Sequence, residues 1–159
     1  MHIINKKARL NYRILETFEA GIVLTGPEVK SIRDGQVSLD GAHVQFGIGS
    51  PPPTTHNPQP TTLEAYLVGL HTSPYLPAGQ SATDPARPKK LLLHRNEILS
   101  ISAKSRSQNS TVIPLRLYSK NGLIKVEIAL AKGKKKWEKK DTLKRREAER
   151  EMKRAMKRG

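Results

Sequence analysis

"TVIPLRLYSKNGLIKVEIALA", residues 111–131, reads as two β-strands folded about a tight turn. Apolar and polar residues alternate along both arms, the period of strands with one face buried. Asn121 and Gly122 between them suit a primed two-residue turn, because both residues tolerate left-handed backbone. Pro114 has no amide hydrogen to give a ladder, so it marks a strand edge or a bulge.

Working outward, the preceding chain supplies more short elements of the same kind. "NYRILETF" (11–18) has strand character and "GIVLTG" (21–26) is a short buried run. "GPEVKSIRDG" (26–35) predicts a short helix, with Thr25 or Gly26 as cap, Pro27 in the first turn, Val29 and Ile32 inward, and Gly35 at its end. "QVSLDGAHVQF" (36–46) alternates as a strand bent at a glycine, with Val37, Leu39, Ala42, Val44 and Phe46 inward. "LEAYLVGLH" (63–71) returns to strand character. "HRNEILSISAKS" (94–105) predicts an amphipathic helix with Ile98 and Ile101 facing the core. Residues 47–62 hold five of the eleven prolines and no charge, the composition of a long exposed loop. Residues 73–88 read as a second loop. Several short strands with two short helices argue for a mainly β protein, a small antiparallel barrel or sandwich.

Downstream of the hairpin the pattern changes at Gly133. Residues 132–159 carry 14 Lys and Arg against 5 Asp and Glu, and the preceding 131 residues carry 15 against 9. The whole chain of 159 residues has a formal net charge of +15, which favours a polyanionic partner through Coulomb attraction and counterion release. On a helical wheel Trp137, Ala148, Met152, Ala155 and Met156 fall within about 100° of one another. Asp141 with Arg145 and Glu149 with Lys153 are favourable i, i+4 pairs worth only ~0.2–0.5 kcal/mol each. Such terms are too small to hold a free helix, so the expectation is a tail that is disordered alone and helical when bound.

Sequence features of other function classes are missing. The chain has no cysteine, which excludes disulfides and cysteine-ligated metals. His2, His43, His56, His71 and His94 show no metal spacing, and no nucleophile elbow or phosphate-binding loop is present. Glu16, Glu19 and Glu28 read as surface carboxylates. No apolar run approaches the ~20 residues of a membrane span, and the N-terminus lacks a secretory signal's apolar region. The expectation is a soluble cytoplasmic protein, not an enzyme, with no cofactor and no metal. The basic clusters "NKKARLNYR" (5–13) and "RPKKLLLHR" (87–95) suit contact with RNA backbone, with Tyr or His available to stack on unpaired bases.

Together these stretches resemble the SsrA-binding protein family (small protein B), partners of transfer-messenger RNA in ribosome rescue. The matching residues are "NKKA" (5–8), "ETFEAGIVLTGPEVKSIRDG" (16–35), "LHTSPY" (70–75), "DPARPKKLLLHRNEI" (84–98) and "VIPLRLYSKNGLIKVEIALAKGKK" (112–135), with the basic tail. The resemblance implies a six-stranded antiparallel OB-like β-barrel over residues 1–131, flanked by short helices, and a tail over residues 132–159. It implies that the barrel binds the transfer-RNA-like domain of transfer-messenger RNA. The tail would enter the decoding centre and messenger channel of the small ribosomal subunit. Elongation factor Tu and alanyl-tRNA synthetase would be reached only through the RNA, by a monomeric protein.

By position, Glu19, Leu92 and Lys125 match residues of the family's RNA-binding face. Asn5, Lys6, Lys7, Lys30, Arg33, Lys89, Lys90 and Lys132 are neighbouring candidates. Gly133, Lys134 and Lys135 match the family's Gly-Lys-Lys. Trp137, Glu138, Lys139 and Lys140 complete the decoding-site candidates, with Glu-Lys-Lys where the family usually has Asp-Lys-Arg. The proline-rich loop is about fifteen residues longer than the family's tight hairpin, an extension whose closure costs little entropy. The alternative reading is a general OB-type binder of single-stranded RNA, or a ribosome-associated structural protein. An aromatic content of 4% offers that alternative few stacking platforms.

Overall fold

The structure is a computed structural model that describes residues 1–48, 63–75 and 84–159. The proline-rich loop expected at 47–62 lies outside the described residues from position 49 onward, as does the middle of the second loop, 76–83.

The chain folds as β1 (His2–Ile4), α1 (Ala8–Asn11), β2 (Tyr12–Ile22), α2 (Gly26–Arg33), β3 (Val37–Ser38) and β4 (His43–Ile48). It continues with β5 (Leu63–Val68), β6 (His71–Thr72), β7 (Lys89–Leu92), α3 (Arg95–Ser107), β8 (Thr111–Lys120), β9 (Leu123–Gly133) and α4 (Lys136–Arg158). Seven strands form one antiparallel sheet in the order β1-β8-β9-β2-β7-β5-β4, and β3 pairs with β6 in a separate ribbon.

The expected six-stranded closed barrel is therefore corrected, to a strongly curled seven-stranded sheet with a two-stranded ribbon. The curl brings β4 against β8, but no ladder joins them. Pro114 has no N–H to offer at that edge, and β1 pairs only with residues 116–118 of β8. Asn5 stitches the seam instead. Its amide donates to the carbonyls of Leu39 (3.2 Å) and Pro114 (3.0 Å), and its side-chain oxygen accepts from Ala8 N–H at 3.1 Å.

The hairpin forms as its sequence dictates. Asn121 (φ 53°) and Gly122 (φ 75°) turn the chain in left-handed backbone, and β8 pairs with β9 along its length. The two stretches 11–18 and 21–26 merge largely into the single strand β2. The stretch 36–46 instead divides into β3 and β4. Gly41 (φ 75°) makes that break and Gly69 (φ 76°) the one between β5 and β6. The two turns touch, since a Cβ on Gly69 would lie 3.1 Å from the carbonyl oxygen of Gly41. Sequence periodicity gave no sign of β1, α1 or β7, which have only three or four residues each.

Two bulges flank β9. The β2 register shifts between Ile14 and Glu16, and the β8 register shifts between Pro114 and Arg116. Each shift swaps the faces of its strand, because side chains alternate with period two. The inner face carries Leu67, Leu91, Leu117, Val126, Ile128 and Leu130, with Ile32 of α2 and Ile98 and Ile101 of α3. On the outer face one half is apolar: Ala8 of α1 packs on Ile113, Leu115, Ala129 and Ala131. Alanines on β9 let the short helix approach closely. The other half, past the bulges, is polar and open.

Three helices open in the same way. Glu28, Glu97 and Glu138 each accept the N–H of the residue before the first turn, Thr25, His94 and Lys135, at 2.8–2.9 Å. Glu28 does more. It is buried, and it receives Arg87 Nε (2.9 Å) and Nη2 (2.7 Å), with Lys89 Nζ 3.8 Å away. Burial opposes its ionisation, but the bonds from Arg87 and Thr25 outweigh that and hold the carboxyl below its ordinary value. This cluster ties α2 to the start of β7.

A carboxyl with a depressed folded pKa contributes stability above its unfolded pKa, and loses it as pH falls through the folded value. Glu28→Gln should therefore lower unfolding free energy by about 3 kcal/mol near neutrality, the order for breaking a buried pair. The gap from the unaltered chain should close on acidification below the ordinary carboxylate range. Urea denaturation across pH 2–7 checks both the size and the direction.

Candidate RNA interface

On the open half of the outer face, pairing across five strands sets His2, Tyr118, Lys125, Gly21 and Leu92 in one row. The neighbouring row holds Ile4, Arg116, Glu127 and Glu19. Gly21 leaves a notch between Lys125 and Leu92. A Cβ there would meet Leu92 Cβ at 3.1 Å, so Leu92 leans over the glycine while staying 56% exposed.

A groove of about 590 Å³ opens beside this row, lined by Glu19, Leu92, Lys125, Lys90 and the start of α3 at His94 and Arg95. That volume suits a ligand of nucleotide size. A shallower depression on the other side of Leu92 is formed by Leu24, Val29, Gly122 and Leu123.

The carboxylates here are already engaged. Tyr118 hydroxyl donates to Glu19, and Lys120 Nζ bonds both Glu19 oxygens at 3.1 Å. These contacts, Tyr118 first and Lys120 next, hold Glu19 below its ordinary value. Burial and the bond to Glu19 push the Tyr118 phenol up to about 12. Glu64 accepts Lys90 Nζ at 2.6 Å and the Tyr66 hydroxyl, which lower its pKa in that order. Lys125 and Arg95 have no ion-pair partner among the described residues. Glu19 and Glu64 are thus neutralised by lysines, Glu97 is occupied in capping α3, and Lys125 and Arg95 stand at the rim as cations that attract phosphate. Among the described residues no group of His, Asp and Glu could hold a metal ion, and no helix is long and apolar enough to cross a membrane.

Comparison with known proteins gives the family. The family model described as "SmpB protein" matches residues 2–158. The chain belongs to the SmpB family. An SsrA-binding protein of Rubrobacter xylanophilus is 45% identical, over 96% of this chain and 93% of the relative. The SsrA-binding protein of Latilactobacillus sakei is 47% identical, over 96% of this chain and 88% of the relative. A solved chain described as "tmRNA-SmpB: a journey to the center of the bacterial ribosome" is similar at a TM-score of 0.65. It shares 38% identity, with 85% of each chain covered.

The residues singled out from the sequence separate into groups in this SmpB-family fold. Glu19, Lys90, Leu92 and Lys125 meet at the groove. Lys30 and Arg33 of α2 lie to its side: Lys30 sits 5.0 Å over the Tyr75 ring, and Arg33 donates to the Gly122 carbonyl at 3.3 Å. Lys6, Lys7 and Lys132 are exposed at the opposite end by α1, where Lys7 pairs with Asp40 and Lys132 stands opposite Arg13. Lys125 and Lys132 are seven residues apart on one strand, roughly 23 Å.

Two candidates have their side chains engaged within the fold. Lys89 is fully buried, donating to the carbonyls of Leu70 (3.3 Å) and Arg87 (3.0 Å), so its ammonium cannot reach a phosphate. Burial lowers its pKa. Asn5 spends its side-chain amide on the carbonyls of Leu39, between β3 and β4, and Pro114 in β8.

At the root of the tail, Gly133 ends β9 and Lys134 N–H donates to Asn11 carbonyl at 2.8 Å. Lys134 Nζ reaches Arg9 carbonyl (3.2 Å) and Thr142 Oγ1 (3.0 Å), which sets the direction in which α4 leaves the sheet. Lys135 precedes α4, and Lys139 and Lys140 follow Trp137, which is 61% exposed. Glu138 is a helix-capping residue here. The 23 residues of α4 include no buried one.

Sequence reasoning missed Arg116, Tyr118, Lys120 and Glu127 as members of this face. Their alternation in "LRLYSK" and "KVEI" marked them as outward, but only the bulges separate this open half from the half that α1 covers.

Tyr118 should titrate near pH 12 when followed by its own ring resonance, well apart from an ordinary phenol near 10. Glu19→Gln should bring it part of the way down, because the negative charge and the strongest acceptor are lost while burial remains. An unchanged Tyr118 titration would show that the Glu19 contact does not form in solution.

Proposed function

We propose that the open half of the outer sheet face binds the transfer-RNA-like domain of transfer-messenger RNA, and that the chain delivers this RNA to stalled ribosomes for trans-translation. The observation that carries the reading is the meeting of Glu19, Leu92 and Lys125 at one groove. They stand on three different strands, and Glu19 and Lys125 are more than a hundred positions apart in sequence. Membership of the SmpB family and the likeness to the solved chain support the same partner.

In this reading Lys125, Lys90 and Arg95 hold phosphates, and Lys30 and Arg33 extend the basic rim along α2. Leu92 packs against sugar or base. Glu19 positions Tyr118 and Lys120. Elongation factor Tu and alanyl-tRNA synthetase act on the RNA and meet this chain only through it. The protein works as a cytoplasmic monomer without enzymatic chemistry of its own.

The tail serves the ribosome. As a helix α4 spans about 35 Å at 1.5 Å per residue, and its surface is dominated by cations. Free in solution, repulsion between like charges and the cost of ordering keep it largely disordered. In the messenger channel, phosphates cancel that repulsion and the helix forms. Gly133 to Lys140 then lie at the decoding centre, with Trp137 free to stack on a base and Lys6, Lys7 and Lys132 beside them.

Deleting residues 134–159 should leave affinity for the transfer-RNA-like domain within about twofold and abolish tagging of nascent chains on stalled ribosomes. Binding titrations and an in vitro tagging assay measure the two separately. Tagging by the truncated chain at the full-length level would refute the division of labour.

A further inference from the structure

We propose that Arg116 and Tyr118 form a stacking platform that takes one unpaired nucleobase of the bound RNA onto the exposed face of the Arg116 guanidinium. The proposal rests on the RNA-binding reading above and adds a site three strands over from Leu92, toward β1.

Arg116 lies over the Tyr118 ring, 5.0 Å from its centroid. Its edge is held by Glu127, with Nε donating to Oε2 at 2.6 Å and Nη2 to Oε1 at 3.4 Å. Nη1 lies 3.4 Å from His2 Nε2. The guanidinium thus lies over the tyrosine ring with each of its three nitrogens near a protein partner, yet 41% of the side chain remains exposed. A flat, partly exposed cation in this setting stacks on nucleobases.

The platform is also fixed in place. Tyr118 is tied by its hydroxyl to Glu19, and Glu19 is tied to Lys120. A preorganised platform loses little side-chain entropy on binding. Across the strand pair from Tyr118 stands Lys125, the unpaired cation at the groove rim. Adjacent strands are about 4.8 Å apart, so a base on Arg116 leaves its own phosphate, or the next one, within reach of the Lys125 side chain.

The chemistry also fixes the kind of recognition. Nε and Nη2 of Arg116 are engaged by Glu127 and Nη1 lies near His2, so only the outer Nη hydrogens are left for a base edge. Recognition is therefore by stacking, tolerant of which base is present and intolerant of its absence.

The test compares the full chain with Arg116→Lys, which keeps the charge and loses the plane. Both are titrated at several salt concentrations with the transfer-RNA-like domain of transfer-messenger RNA. The same RNA is also made with single abasic substitutions at its unpaired positions. Arg116→Lys should bind about 5- to 100-fold more weakly, the range of one lost base stack, with an unchanged log–log salt slope. One abasic RNA should show the same loss with the unaltered chain and no further loss with the variant. Changing the base at that position should have little effect. Tyr118→Phe, which keeps the ring, should bind more tightly than Tyr118→Leu.

Equal affinities for the unaltered chain and Arg116→Lys overturn the platform. So does a salt slope smaller by roughly 0.7–0.9, which would mean that Arg116 contacts a phosphate. Losses that add at every abasic position overturn it as well. In all three cases the RNA-binding reading stands. Failure of the unaltered chain to bind this RNA overturns both.

Discussion

The structure depends on the pairing of β9 with β2 on one side and β8 on the other, under the constraint of two bulges offset by three residues along β9. Without the bulges the outer face of this three-stranded unit would keep one character throughout. With them, the polar positions of β2 and β8 face outward at one end and the apolar positions face outward at the other. The apolar half receives α1, and through α1 and Lys134 it receives the root of α4. The polar half stays open. One feature of strand geometry thus separates the surface read as the RNA interface from the surface that launches the tail.

The long, strongly patterned segments could be read from the sequence because local chemistry determines them. Asn121-Gly122 specifies the hairpin turn, and Thr25, Pro27 and Glu28 specify the start of α2. Ile98 and Ile101 specify the buried face of α3. The failures have a common physical cause. β1 and β7 are too short to show a period, and Lys89 within "PKKLLLHR" looks like one more surface cation. Its burial is set by Glu28, sixty residues away, and by two carbonyls that no local pattern reveals. Closure of the sheet is hidden from local pattern for a similar reason, since β4 and β8 share a core through Val44, Val112 and Leu117 without a ladder between them.

The candidate interface was partly legible for a different reason. Glu19, Leu92 and Lys125 entered through family resemblance, and the strand register supplies the physical relation between Lys125, Gly21 and Leu92. Glu19 is then better described as the residue that holds Tyr118 and Lys120 than as a free acceptor, because both its oxygens are occupied. Arg116 and Tyr118 could not have been found by charge or composition. Glu127 holds Arg116 and Glu19 holds Tyr118, while the Arg116 side chain stays partly exposed. Lysine contacts to phosphate supply salt-dependent affinity, whereas stacking on a fixed plane supplies a contribution that salt does not screen.

The central claim is that RNA is held by the open half of the outer sheet face and not by the tail. Backbone amide shifts of the isotopically labelled full-length chain, followed as the transfer-RNA-like domain is added, test it most directly. The account predicts the largest early changes at residues 19–21, 90–95, 116–120 and 123–127, with little change at Lys89, at the β3–β6 ribbon or beyond Asp141. Changes concentrated between Lys136 and Arg158, with β2, β7, β8 and β9 unperturbed, would contradict it.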